Sequence, residues 1–98
     1  MSERKMLATV DLDHPLKRGD EEMAKLTFRR PNSGELRGLS LVQLGQMNVD
    51  EIRKLLPRIS MEGLIVEEVD KLDSADIMSI AFELSDFLLP SRMNAAAQ

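Results

Sequence analysis

The sequence predicts an α+β protein, with an N-terminal antiparallel β-hairpin packed against a C-terminal set of three to five short α-helices. Three observations predict it. Apolar residues recur at every second position from Met6 to Leu12 and again at Leu26 and Phe28, the period of a half-buried strand. From Leu36 onward they recur at every third or fourth position, the period of a helix. Between the two regimes lies a corner, Phe28-Arg29-Arg30-Pro31-Asn32-Ser33-Gly34-Glu35-Leu36-Arg37-Gly38-Leu39. Pro31 has no N–H for a central ladder, and Asn32 stands three residues before Glu35, the spacing of a capping box that opens a helix.

In the first strand Met6, Ala8, Val10 and Leu12 share one face. Pro15 interrupts it and restrains His14, and Leu16-Lys17-Arg18 carries it on to a turn at Gly19-Asp20. In the returning strand Ala24, Leu26 and Phe28 face the core, with a bulge expected near Met23–Ala24 where the alternation slips. A two-stranded hairpin is marginal in water, so its apolar face must be covered. The helices cover it. Leu36, Leu39 and Val42 share a stripe with Leu41 and Leu44 beside it, and Ser40 offers a second capping-box start. The region 36–45 is thus either one helix or a turn followed by a new one. Asn48 caps the next helix, where Val49, Ile52, Leu56 and Ile59 form a stripe and Pro57 predicts an end or kink near Leu56. Ile65, Val66, Val69 and Leu72 suggest a short helix, with a local strand at 63–66 as the alternative. Asp73 caps the last helix, whose stripe is Ile77, Ile80, Ala81, Leu84, Phe87 and Leu88. Pro90 stops it, so residues 1–90 form one domain and residues 91–98 a disordered C-terminal tail.

Composition excludes several function classes. The chain has 98 residues, a net charge of −4 and 43% apolar residues, the profile of one globular domain. Cysteine is absent, so a disulfide framework and a thiolate metal site are excluded. The polar start Met1-Ser2-Glu3-Arg4-Lys5 and the early Asp11 do not fit a signal peptide, and no apolar run approaches bilayer length. The expected location is the cytoplasm. An acidic balance with no Trp or Tyr and three Phe argues against nucleic-acid binding. Seven Met either fill gaps in a small core or line a surface that accepts varied partners.

No constellation for catalysis or cofactor binding appears. His14 is the single histidine and sits in a turn. Gly34-Glu35-Leu36-Arg37-Gly38 lacks the Lys-Ser/Thr ending of a phosphate loop. Asp70, Asp73 and Asp76 recur every third residue, but a calcium loop needs a glycine and a distal Glu, and a helix N-terminus explains the last two. No metal or cofactor is expected, and the chain is read as a non-enzyme. Helices at 36–45 and 49–56 suggest a helix-turn-helix, yet Asp50 and Glu51 open the would-be recognition helix and repel DNA. Arg29, Arg30 and Arg37 cluster around the corner and either pair with nearby acids or dock a protein partner.

The corner also carries a resemblance. Leu26-Thr27-Phe28-Arg29-Arg30-Pro31-Asn32-Ser33-Gly34-Glu35-Leu36-Arg37-Gly38-Leu39 resembles the signature of the tail assembly chaperones of contractile-tailed, Mu-like bacteriophages and prophages. That signature is a hydrophobic strand, a basic residue and Pro, then Gly-Glu-Leu-Arg-Gly-Leu. Further blocks match in order: Val10-Asp11-Leu12 with Pro15-Leu16 and Gly19, Leu55-Leu56-Pro57-Arg58-Ile59-Ser60, and Leu72-Asp73-Ser74-Ala75-Asp76 leading to Phe87-Leu88. The likeness spans about residues 8–90. It departs at Leu64-Ile65-Val66, where family members have a polar, cap-like residue.

The resemblance implies a chaperone that binds the helical tape measure protein, keeps it soluble and helps tail tube subunits polymerise around it. Such a chaperone is absent from the finished particle. The implied partners are the tape measure protein, the tail tube protein and a frameshifted longer form of the chain, all in the bacterial host cytoplasm, with no nucleic acid and no membrane. The expected partner-binding residues are Arg29, Arg30, Glu35, Arg37 and Leu39, with the exposed edge of the hairpin as a strand-addition site. The alternative is a small phage-type DNA-binding regulator.

Overall fold

Leu7–Arg18 and Glu21–Arg29 pair antiparallel as strands β1 and β2 in the computed structural model, which describes residues 6–88. The expectations for Met1–Lys5, for Pro90 and for the tail 91–98 lie outside the described residues. The turn between the strands is Gly19-Asp20, with Gly19 at φ +61°, the glycine-first form that matches the strand twist. Ala8, Val10 and Leu12 of β1 face the core with Leu26 and Phe28 of β2. Met6 and Ala24 lie outside it; beyond the register slip the core-facing place on β2 passes to Met23, opposite the buried Leu16.

The register slips between Asp11↔Lys25 and Leu16↔Met23, so Leu12–Pro15 stand opposite Ala24 alone. The irregularity falls where expected on β2, but the extra residues belong to β1. Pro15 cannot donate to a ladder, so the chain bulges there instead of at Met23–Ala24.

The corner makes a single 3-10 turn, Ser33–Leu36, and a new helix α1, Leu41–Gly45, follows. The region is therefore divided. Ser40 caps α1, its Oγ accepting the Gln43 N–H at 3.2 Å. One turn is too short to present a whole stripe: Leu44 is buried, Leu36 and Leu39 are half-buried, and Leu41 and Val42 are exposed.

Helix α2, Val49–Ile59, opens with Asn48 accepting the Asp50 N–H at 2.9 Å. Of the two expectations for Pro57, the helix does not end near Leu56: it runs on to Ile59, and the Ser60 N–H still reaches Leu56 O at 3.0 Å. An internal proline costs about 3 kcal/mol, and burying Ile59 recovers a comparable amount. The buried seam is Ile52, Leu55, Leu56 and Ile59. Val49, at the border of that seam, is 59% exposed, and Leu55 fills the core in its place.

Helix α3, Val66–Val69, resolves the 63–66 ambiguity in favour of a helix. Ile65 stands at its N-cap without a capping side chain, and the Glu68 carboxylate accepts the Ile65 N–H at 3.2 Å instead. Helix α4, Ser74–Leu88, starts as read, with Asp73 Oδ2 accepting the Ala75 N–H at 3.0 Å. Its residues Ile80, Ala81, Leu84 and Phe87 are buried against β1, while α2 packs against β2 and α3. The result is a two-stranded sheet covered on one face by helices.

Candidate protein-binding site

The corner residues are joined by a dense set of polar contacts. Arg29 forks onto both carboxylate oxygens of Glu35, with Nη1 to Oε1 at 2.7 Å, and Nη2 also donates to Arg58 O at 2.9 Å. Glu35 Oε1 in turn accepts the Asn32 N–H at 3.0 Å, the reverse half of a capping box. The Arg29 guanidinium, aided by that N–H, holds the Glu35 carboxyl down at about 2. Arg58 Nη1 donates to Glu35 O and Arg37 O at 2.7 and 2.8 Å, tying α2 to the turn. Arg30 Nη1 donates to Phe87 O at 2.9 Å, near the C-terminus of α4, and its guanidinium lies 5.1 Å from the Phe87 ring centre. Leu39 rests half-buried on the core. Arg37 is exposed, and its side chain has no ion-pair partner among the described residues.

The acidic residues singled out in the sequence separate in space. Asp70 pairs with Arg53, Nε to Oδ1 at 2.6 Å, and that guanidinium lowers its carboxyl. Asp76 is 1% exposed and accepts the Asp13 N–H at 2.8 Å and the His14 N–H at 3.0 Å. Its carboxylate therefore satisfies the backbone of the β1 bulge. The bulge thus explains why a buried acid stands in the first turn of α4. His14 itself is exposed, its Nε2 3.8 Å from Asp73. Among the described residues no group of three His, Cys, Asp or Glu could hold a metal ion.

The hairpin has two unlike edges. On β2, Thr27 donates to the Glu62 carboxylate at 3.1 Å and accepts the Met61 N–H at 2.8 Å, and Phe28 bridges Ser60. On β1, the Arg30 N–H bonds to Met6 O at 2.8 Å, so by alternation Ala8 and Val10 hydrogen-bond to β2 while Leu7, Thr9 and Asp11 turn their backbone groups outward. The Thr9–Thr27 hydroxyl contact at 3.1 Å fits such a closely spaced pair. The expected strand-addition edge is thus the β1 edge.

An apolar groove lies on the opposite side of the helix layer. Its volume is about 340 Å³, and Met47, Val49 and Ile52 line one wall while Ile77, Met78, Ala81 and Phe82 line the other. Phe82 is 71% exposed and Met78 57%. Met47 is in the left-handed conformation at φ 58°. It closes α1 as a Schellman turn, with Met47 N–H to Leu44 O and Asn48 N–H to Gln43 O both at 2.9 Å. Such a turn usually takes glycine. Here a side chain is retained, and it lines the groove. Sequence periodicity placed the exposed Val49 in the core and did not reveal the groove, which Ile77 lines while it also packs on the core. The signal available was the excess of methionine and of apolar residues over what a small core holds.

These surfaces belong to a small α+β protein that carries an apolar groove on its helices and an uncovered strand edge on its hairpin. Residues 9–89 match the model of a family described as phage tail assembly chaperone proteins, E, or 41 or 14. The chain belongs to this family of phage tail assembly chaperones. It is 35% identical over 82 residues to tail assembly protein E of Escherichia phage P2, covering 84% of this chain and 90% of that protein. It is also 35% identical over 80 residues to tail assembly protein E′ of the same phage, covering 82% of this chain and 56% of the relative. No solved structure matches the chain.

Proposed function

We propose that the chain binds the tape measure protein, keeps it soluble and assists tail tube polymerisation around it, leaving before the particle is finished. The observation that carries this reading is the apolar surface. Leu41, Val42, Val49, Met78 and Phe82 are all at least 57% exposed on the helical side of a small domain. Of these Val49, Met78 and Phe82 line one groove, and exposed apolar surface gathered in this way marks a binding site, while a net charge of −4 offsets its cost in solubility. Residues 1–90 act in this reading as one domain in the host cytoplasm; no helix among the described residues is long and apolar enough to cross a membrane. Arg37 and the outer face of the corner contribute specificity, with Arg29, Arg30, Glu35 and Leu39 holding its shape. The tail tube protein and a frameshifted longer form are further partners. The match to both P2 proteins, of which E′ is covered only to 56%, supports the longer form.

Co-expression of tagged chain with the tape measure protein of the same operon tests the reading. The tape measure protein is expected in the soluble fraction and in the pull-down. Its recovery in inclusion bodies, with the tagged chain soluble and alone, overturns it.

A further inference from the structure

We infer that the groove between α2 and α4 seats an amphipathic helix whose apolar stripe is flanked by Lys or Arg. The inference rests on the proposed function only for the owner of that helix, the tape measure protein. Shape selects a helix. The α4 wall runs from Ile77 to Ser85, which at 1.5 Å per residue is about 12 Å, or two helical turns. Apolar side chains stand on both walls, and Phe82 and Met78 project above the floor as anchors for i, i+4 and i+7 side chains of an incoming helix. A β-strand would need unpaired backbone, and that lies on the β1 edge, across the sheet.

Charge selects the flanks. No basic residue occurs from Gly38 to Ile52, which supplies one wall, and none occurs in α4 from Ser74 to Leu88. Every formal charge in these two segments is a carboxylate. Glu51 is engaged by the Ser40 N–H at 2.8 Å and Lys54 at 3.2 Å, and Asp76 by the β1 bulge. Asp86, one helical turn beyond Phe82, is exposed at the rim of α4, and Asp50 is exposed in the first turn of α2. The nearest cations on α2 are already paired, Arg53 with Asp70 and Lys54 with Glu51. A helix seated in the groove therefore meets the Asp86 carboxylate along α4 and, along α2, an arginine already paired with Asp70, which favours Lys or Arg beside its stripe and disfavours Asp or Glu.

The test uses the full chain and two synthetic helical peptides of about 18 residues with one apolar stripe, flanked by Lys in one and by Glu in the other. By calorimetry the Lys-flanked peptide is expected to bind about tenfold or more tightly, with the gap closing in high salt. Phe82→Asp is expected to abolish binding of the Lys-flanked peptide, and Asp50→Asn with Asp86→Asn to narrow the gap. Both sets of substitutions are at exposed positions, and circular dichroism checks that each variant is folded. Failure of the Lys-flanked peptide to bind, equal affinity for the two peptides, or undiminished binding by folded Phe82→Asp overturns the inference. Peptide binding lost in Phe82→Asp supports the groove even if the tape measure protein is not captured. Peptide failure sinks the groove even if it is, so the two readings fall separately.

Discussion

Arg30 and Arg37 differ in environment although the sequence places them in one cluster. Arg30 donates to the Phe87 carbonyl and covers the Phe87 ring, so its removal takes a partner from the end of α4. Arg30→Ala is expected to cost about 1–2 kcal/mol, read as a lowered melting temperature. Arg37 is exposed, and Arg37→Ala is expected to leave melting unchanged while weakening capture of the tape measure protein. Unchanged melting in Arg30→Ala would show that the Phe87 contact contributes nothing to stability. Met47 makes a related point. A left-handed non-glycine residue costs about 1–2 kcal/mol. It is retained where its side chain forms part of a groove wall, as strain tends to be at binding sites.

Among the elements, the β1 bulge and α4 form one unit. Residues 12–15 leave the ladder, and the Asp13 and His14 N–H groups would be orphaned without Asp76. Asp76→Ala strands two donors and is expected to destabilise the chain by about 2–4 kcal/mol in urea unfolding. A loss below about 0.5 kcal/mol would mean that water replaces the carboxylate. The existence of a hairpin, a corner and a capped final helix was legible, because period and capping are local. The bulged strand was not, since Met23 and Pro15 disturb the pattern on facing strands and only the pairing shows which one carries the extra residues. The same limit applies to Pro57, where a local rule offered an end or a kink near Leu56 and the helix continues far enough to bury Ile59.

At the scale of the whole molecule, one arginine–glutamate fork ties the hairpin to a distant helix and another closes the corner. Arg18 at the hairpin tip forks onto Glu68 of α3 at 2.8 Å for each contact, and Arg29 holds Glu35 at the corner. The Arg18 guanidinium holds the Glu68 carboxyl at about 2, as Arg29 does Glu35, against 4.5 for an ordinary Glu. A depressed carboxyl adds stability above its unfolded value and loses it as pH falls toward the folded one. The melting temperature should therefore hold near neutrality and drop between pH 4.5 and about 2. Glu68→Gln and Glu35→Gln should lower melting at neutral pH and flatten that drop. Acid profiles parallel to the parent would assign the drop to other carboxylates. Arg53–Asp70 is half-exposed on both sides and should matter little, because water and salt screen it.

By itself the sequence determined the α+β class, the strand-to-helix corner, the Asp73 cap and the family, all of which are written in residues close together along the chain. Tertiary structure alone decided which apolar residues were surplus to the core. Val49, Met78 and Phe82 carry helical spacings like their neighbours, and their exposure follows from how α2 and α4 are set against a sheet of only two strands. It likewise separated the arginines, because Phe87 lies 57 residues from Arg30 in the chain. Local spacing fixes the face of an element. Whether that face is covered depends on what arrives opposite it.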